Sequence, residues 1–236
     1  MIFAVILSGG TGTRIGKKIP KQFIKINNKP ILSYCIKQFC EISEFDKIII
    51  TSPQEYMDET NELVQKYFPN DNRLIVIQGG ETRQDTLMNS IEYIKKYESI
   101  TNEDILINHD GARIFVSKKL IEDCIKYTKK YGAASPIIPS TDVIVKKEKD
   151  TVSEMPNRYD LVHVQTPQGF YINEYCELFD KLTNDEIESV HEIIRVYFLN
   201  NKPIYLFEGD KSNFKITHPI DIDIGKSLMN KGDWNV

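Results

Sequence analysis

The stretch Ile2-Phe-Ala-Val-Ile-Leu7-Ser8-Gly9-Gly10-Thr-Gly12-Thr-Arg14-Ile-Gly16-Lys17-Lys18-Ile-Pro20-Lys21-Gln22-Phe23 decides how this chain is read. The run from Ile2 to Leu7 is apolar throughout and short, which predicts a buried strand at the N-terminus. The glycines that follow let the backbone lie close to a ligand. Glycine tolerates unusual φ/ψ and presents bare N–H groups that form anion-binding nests. Arg14 and Lys21 then supply two cations. Strand, glycine-rich turn and fixed cations suit a polyphosphate. The competing reading is a tight strand-to-helix turn with solvated basic residues.

Two familiar phosphate loops are excluded. A Walker-type loop needs Gly-Lys followed by Ser or Thr, whose hydroxyl ligates magnesium; here Gly16-Lys17 is followed by Lys18. A dinucleotide fold places an acidic residue after the second strand to hold ribose hydroxyls. The second apolar run, Lys47–Thr51, continues into Ser52-Pro53-Gln54.

Apolar runs alternate with amphipathic ones along most of the chain. Strands are expected at Phe3–Leu7, Lys47–Thr51, Leu74–Gln78, Ile105–His109 and Ala133–Ile138. Helices are expected at Pro30–Glu41, Tyr56–Tyr67, Asp85–Tyr97, Lys118–Tyr131 and Asn173–Thr183. This order predicts an α/β, Rossmann-like, mostly parallel sheet with helices on both faces. Functional loops then gather at the carboxyl ends of the strands. The glycine loop, the Gly79-Gly80 turn and His109-Asp110 all fall there. Residues 139–169 break the pattern and read as a projecting β-hairpin arm: Val143–Val145 lead into a charged tip, Lys146–Asp150, and Leu161–Gln165 return. The whole chain, 1–236, is expected to be one domain carrying that arm.

The chain has 30 basic and 34 acidic residues, so its net charge of −4 argues against a nucleic-acid partner, which wants a basic face. No apolar run approaches the ~18 residues of a membrane span. No signal-peptide pattern opens the sequence. The cysteines at 35, 40, 124 and 176 lack metal-ligand spacing and read as reduced thiols, which points to a cytoplasmic location.

The first loop, Gly9-Gly10-x-Gly12-x-Arg14 followed by Pro20-Lys21-Gln22, resembles the nucleotidyltransferases that join a sugar or polyol phosphate to a nucleoside triphosphate. Within them the chain is similar to the IspD/TarI group of cytidylyltransferases. Four further blocks follow in that group's order. They are Gly79-Gly80-Glu81-Thr82-Arg83-Gln84-Asp85-Thr86, His109-Asp110-Gly-Ala-Arg113, Arg158 ahead of Thr166-Pro167-Gln168, and Asn213-Phe-Lys215-Ile-Thr217. The broader hexose-1-phosphate nucleotidyltransferases share the first loop but not Thr-Pro-Gln.

The resemblance implies attack of a substrate phosphate on the α-phosphorus of CTP, with release of pyrophosphate. That nucleophile is already an anion, so catalysis rests on positioning and charge stabilisation. Arg14 and Lys21 would stabilise the pentavalent phosphorus. Leu7, Ser8, Gly9, Gly10, Gly12, Gly79, Gly80 and the segment Glu81–Leu87 would hold the nucleotide; Asp85 and Thr86 can alternatively cap a helix. Arg113, Arg158, Thr166 and Lys215 would hold the phosphate of the second substrate. Asp110 would meet Mg²⁺, which favours a few carboxylates plus phosphate oxygens. His109 reads as a packed, hydrogen-bonded residue rather than a base.

The resemblance also implies a homodimer in which the 139–169 arm crosses to the second subunit, so that Arg158 reaches the partner's site. Gly-Gly-Thr-Gly-Thr-Arg is closer to the ribitol members, which suggests D-ribitol 5-phosphate as acceptor and CDP-ribitol as product, a precursor of cell-surface polysaccharide. The alternatives are 2-C-methyl-D-erythritol 4-phosphate, another polyol phosphate such as glycerol or arabinitol phosphate, and a nucleotide-binding subunit with a decayed acceptor site. Three positions depart from the group: Asp142-Val143 in place of Asp-Thr, Val190-His191 in place of Thr-Asp, and Gly111-Ala-Arg113-Ile114 in place of Ala-x-Arg-Pro. The first two lie, by resemblance, at the acceptor.

Overall fold

The structure is a computed structural model that describes residues 1–10 and 20–230. Its centre is an eight-stranded sheet. Strands β1 (Ile2–Leu7), β4 (Lys47–Ser52), β5 (Leu74–Gln78) and β6 (Ile105–Asp110) run parallel, in the order β6-β1-β4-β5. Two short strands, β2 (Lys25–Ile26) and β3 (Lys29–Pro30), form a separate antiparallel pair.

Strict alternation shows why these runs became strands. Ala4 and Ile6 face one core, with Ile48, Ile50, Ile105 and Ile107; Phe3 and Val5 face the other, with Ile49 and Leu106. Both faces are covered, as a parallel sheet requires. Helices α1 (Ile31–Cys40), α2 (Met57–Tyr67), α4 (Lys118–Tyr131) and α8 (Pro219–Asn230) contribute to the first core. Helices α3 (Arg83–Tyr97), α5 (Ile172–Phe179) and α7 (Ile193–Leu199) contribute to the second. A one-turn helix, α6 (Asn184–Glu188), precedes α7.

The expected fold class is the observed one. In the sheet's other half the expected strand at 133–138 is present, but the sequence pattern does not foresee its neighbours. Strand β7 (Ala133–Pro139) does not pair directly with β6; β11 (Gln168–Tyr171) lies between them, antiparallel to both. Strand β10 (Val162–Val164) continues along the same edge of β7, and β12 (Tyr205–Glu208) runs parallel to β7 on its other side. These strands are short and carry no strong period, so tertiary pairing rather than local pattern makes them strands.

The 139–169 arm is also drawn differently from the expectation. Its hairpin is β8 (Lys146–Glu148) with β9 (Thr151–Glu154), which starts in the charged stretch and ends just beyond it. Val143–Val145 are not in a strand, and Val162–Val164 pair with β7 instead of returning alongside them. Every residue from Thr141 to Met155 is exposed. Lys215 lies in an irregular segment between β12 and α8. Cys35 and Cys124 are fully buried in the first core as free thiols, in keeping with a packing role.

Candidate active site

Four chain segments meet at the carboxyl ends of β1, β5 and β6. They enclose a cleft of about 280 Å³. On one wall are Leu7, Ser8, Gly9 and Gly10 together with Lys21; on the next are Gly80–Arg83 and Thr86; the third is Asp110–Ala112 with Lys215.

The first wall is built from the backbone. The Ser8 amide donates to the Thr51 hydroxyl at 2.9 Å and the Ser8 hydroxyl donates to the Thr51 carbonyl, so β1 hands over to its loop while tied to β4. Gln22 is buried and donates from Nε2 to the Ser8 carbonyl at 2.9 Å. That bond returns the short helical turn Lys21–Phe23 to the root of the glycine loop and brings Lys21 to the cleft. The sequence reading gave Gln22 no role; its place directly after Lys21 in the motif was the available signal. Gly12 and Arg14 lie outside the described residues.

The second wall is the first turn of α3. Gly79 stands against Gly9 so closely that a Cβ on Gly79 would lie 3.1 Å from Gly9 Cα. Thr82 caps the helix: its hydroxyl accepts from the Asp85 amide, and the Asp85 carboxylate accepts from the Thr82 amide, both at 3.0 Å. Thr86 Oγ1 accepts from the Gly80 amide at 2.9 Å. Three side chains assigned to the nucleotide are therefore used elsewhere. Asp85 is held in the capping box, Gln84 Nε2 donates to the Tyr175 hydroxyl at 2.9 Å, and Leu87 is in the core. The helical period turns these positions away from the cleft, which Glu81, Thr82, Arg83 and Thr86 line.

The third wall is a charged knot. Asp110 is buried at the end of β6, and three cations converge on it: Lys215 Nζ at 2.9 Å, Arg83 Nε at 3.3 Å and Arg113 Nε at 3.4 Å. Burial alone would raise the Asp110 carboxyl, but Arg83, Lys215 and Arg113 hold it well below the usual carboxylate range. Arg113 also donates from Nη1 to the Asn213 carbonyl at 2.9 Å, pinning the Lys215 segment. Thr166 is buried behind this knot. Its hydroxyl accepts from the Asp110 amide at 3.1 Å and lies 2.9 Å from His109 Nδ1. The Thr166-Pro167 peptide bond is cis. Thr166 and Arg113 thus support Asp110 from outside the cleft, and Lys215 is the expected acceptor-phosphate residue that lines it.

Arg158 is not brought to this cleft by its own chain. It is exposed on the turn Arg158–Asp160, with Nη2 3.2 Å from the neighbouring Tyr159 hydroxyl. The sequence reading also missed Glu192, whose Oε2 lies 2.9 Å from Arg83 Nη2. Among the described residues no cluster of three His, Cys, Asp or Glu side chains forms a metal cage. Asp110 alone suits a hard cation whose other ligands come from phosphate oxygens and water.

Comparison with known proteins gives the family of the chain. The family model of 2-C-methyl-D-erythritol 4-phosphate cytidylyltransferase, IspD, matches residues 2–231. Among solved structures, the chain is similar to 2-C-methyl-D-erythritol 4-phosphate cytidylyltransferase of Francisella tularensis, at 25% identity and TM-score 0.80, with 96% of this chain and 98% of that one covered. It is similar to 4-diphosphocytidyl-2C-methyl-D-erythritol synthase of Anaerococcus prevotii, at 22% identity and TM-score 0.80, covering 97% and 96%. It is also similar to 2-C-methyl-D-erythritol 4-phosphate cytidylyltransferase of Thermus thermophilus, at 23% identity and TM-score 0.73, covering 96% and 98%. The chain belongs to the IspD family of cytidylyltransferases and is a nucleotidyltransferase.

Proposed function

We propose that the protein transfers the cytidylyl group of CTP to a polyol phosphate, with D-ribitol 5-phosphate as acceptor and CDP-ribitol and pyrophosphate as products. One observation carries the two-phosphate reading: Lys21 and the glycine loop line one side of the cleft, while Lys215 lines another. A transfer between two phosphates needs two anion sites facing one space.

In this reading CTP lies along the glycine loop with its base between Gly9–Gly10 and Gly80–Thr82. An acceptor phosphate oxygen, drawn to Lys215, forms a bond to the α-phosphorus as the bond to the β-phosphate oxygen breaks. The electron pair leaves with pyrophosphate, so no proton has to be removed from the nucleophile. Lys21, with Arg14, stabilises the charge that gathers on the α-phosphate oxygens. Asp110 would hold a Mg²⁺ ion carried with the triphosphate, which supplies charge neutralisation there. Of the three cations already on Asp110, Lys215 is the most exposed.

Ribitol is favoured over other acceptors by the wording of the first loop, Gly-Gly-Thr-Gly-Thr-Arg. A second reading, 2-C-methyl-D-erythritol 4-phosphate, is favoured by the family model and by the similar solved structures named above. We further propose a homodimer through the arm, with Arg158 entering the partner's cleft. Its support is the exposure of Val143, Val152, Met155 and Tyr159 along the arm that carries Arg158. A cytoplasmic location is supported by the free thiols. No helix of the described residues is long and apolar enough to cross a membrane. The test is pyrophosphate release from CTP, with UTP and ATP as controls, over ribitol 5-phosphate, 2-C-methyl-D-erythritol 4-phosphate, glycerol phosphate and arabinitol phosphate. Fastest turnover with CTP and ribitol 5-phosphate is expected. A clear preference for 2-C-methyl-D-erythritol 4-phosphate would select the second reading.

A further inference from the structure

Arg83 has two sets of partners. From α3 it reaches Asp110 through Nε at 3.3 Å, and it reaches away through Nη2 to Glu192 at 2.9 Å. Nη1 donates to the His191 carbonyl at 3.3 Å. Asn108, with its amide turned to donate to the Gln168 carbonyl at 2.9 Å, accepts from Arg83 Nη2 at 3.1 Å. The guanidinium therefore bridges the end of β6 and the connection from α6 to α7. Glu192 gains from this ion pair, since burial pushes its carboxyl pKa up and the Arg83 charge opposes the rise.

The connection itself has few other anchors. Val190 and Ile193 are buried in the second core, but His191, between them, is exposed. Only Arg83 joins the main chain at 191 and the side chain at 192 to the charged wall of the cleft, among the bonds described for these residues. The first turn of α3 does not depend on Glu192 in the same way. Its position is set by the Thr82–Asp85 capping box and by Thr86 bonding to Gly80.

We propose that Glu192 is a positioning residue: through Arg83 it holds residues 190–192 to the acceptor side of the cleft and so sets how the acceptor, but not the nucleotide, is bound. The acceptor half of the statement rests on the proposed function; the structural half does not. A guanidinium that reaches Asp110, the His191 carbonyl and Glu192 at once gives such a tether direction, which a lysine's single ammonium would not.

Two measurements test it on Glu192→Gln, which keeps the shape of the side chain and removes its charge. First, amide hydrogen exchange of the ligand-free protein should speed up at residues 190–193 and stay unchanged at 79–87. Second, in the CTP assay with whichever polyol phosphate the wild type uses, the acceptor KM should rise roughly tenfold, the effect of losing one part-buried ion pair, while the KM for CTP stays within about twofold. Arg83→Lys should speed exchange at 190–193 in the same way, and the double variant should exchange there no faster than the more affected single one. Unchanged exchange at 190–193, or equal rises in both KM values, would overturn the proposal. A wild type that turns over none of the polyol phosphates would instead defeat the proposed function. The exchange result alone would then decide the tether.

Discussion

His109 Nδ1 lies 2.9 Å from the Thr166 hydroxyl, and His109 Nε2 lies 2.9 Å from the Arg113 carbonyl. A carbonyl can only accept, so Nε2 carries the proton and Nδ1 accepts from Thr166. Thr166 in turn accepts from the Asp110 amide. The three bonds run in one direction only when the imidazole is neutral. Burial pushes the His109 pKa down from 6.5 to about 4.

That shift predicts acid sensitivity. Between pH 6.5 and about 4 the unfolded chain binds the His109 proton and the folded protein does not. Stability is therefore fully present above pH 6.5 and falls as the pH is lowered through this window, by roughly 3 kcal/mol in all. Glu192, whose pKa is raised by burial, works in the opposite direction. Chemical denaturation from pH 8 to 4 should show a flatter profile for His109→Gln than for the wild type, a comparison in which the Glu192 contribution cancels. Parallel profiles would assign the acid sensitivity elsewhere.

Gly80 is required by backbone proximity. A Cβ there would meet Asp85 Cβ at 2.4 Å and the Thr86 amide nitrogen at 2.8 Å, while a Cβ on Gly10 would meet nothing within 4 Å. Neither backbone atom nor capped turn yields easily. Gly80→Ala should lose about 1–3 kcal/mol of stability by overpacking, and Gly10→Ala almost none. Thermal melts of the two variants check this; equal Tm values would show that the α3 turn relaxes freely.

Lys21 reaches the cleft through the Gln22 anchor, so two variants separate charge from position. Lys21→Ala should reduce turnover by roughly 10²–10³ at saturating substrate with the fold intact, the usual loss of one preorganised group at a developing charge. Gln22→Leu should also reduce turnover while leaving that charge in place. Arg14→Ala is expected to behave as Lys21→Ala. Near-normal turnover in Lys21→Ala would remove Lys21 from the chemistry.

Asp110 is expected to serve both the metal and the cation knot. Asp110→Asn leaves Arg83, Arg113 and Lys215 facing one another without their shared carboxylate, and breaking such a buried cluster is expected to cost about 3–5 kcal/mol. The variant should unfold at lower denaturant and need more Mg²⁺ for half-maximal turnover. Wild-type turnover should vanish in EDTA. An unchanged Mg²⁺ midpoint in Asp110→Asn would leave Asp110 a structural counter-ion only.

The arm exposes Val143, Val152 and Met155 at 64%, 63% and 69% of their surfaces, and a hairpin of this size is marginal alone. Light scattering should show a dimer, and Val143→Asp with Met155→Asp should shift it toward monomer with a loss of turnover, because Arg158 would leave the partner's cleft. A fully active monomer would refute the dimer.

The sequence by itself determined the parallel half of the sheet and the three polar corners of the cleft. Alternation in Phe3–Leu7, Lys47–Thr51 and Ile105–His109 is a local property, and each motif follows its strand directly. The tertiary structure decided what period and spacing do not encode. Strand β11 exists because β6 and β7 offer unpaired edges on either side of it. The side chains of Gln84, Asp85 and Leu87 are engaged away from the cleft because the helical period and the capping box direct them there. The meeting of Arg83, Asp110, Glu192 and Lys215 joins residues far apart in the chain, and a charge finds its counter-charge only once the fold has removed both from water.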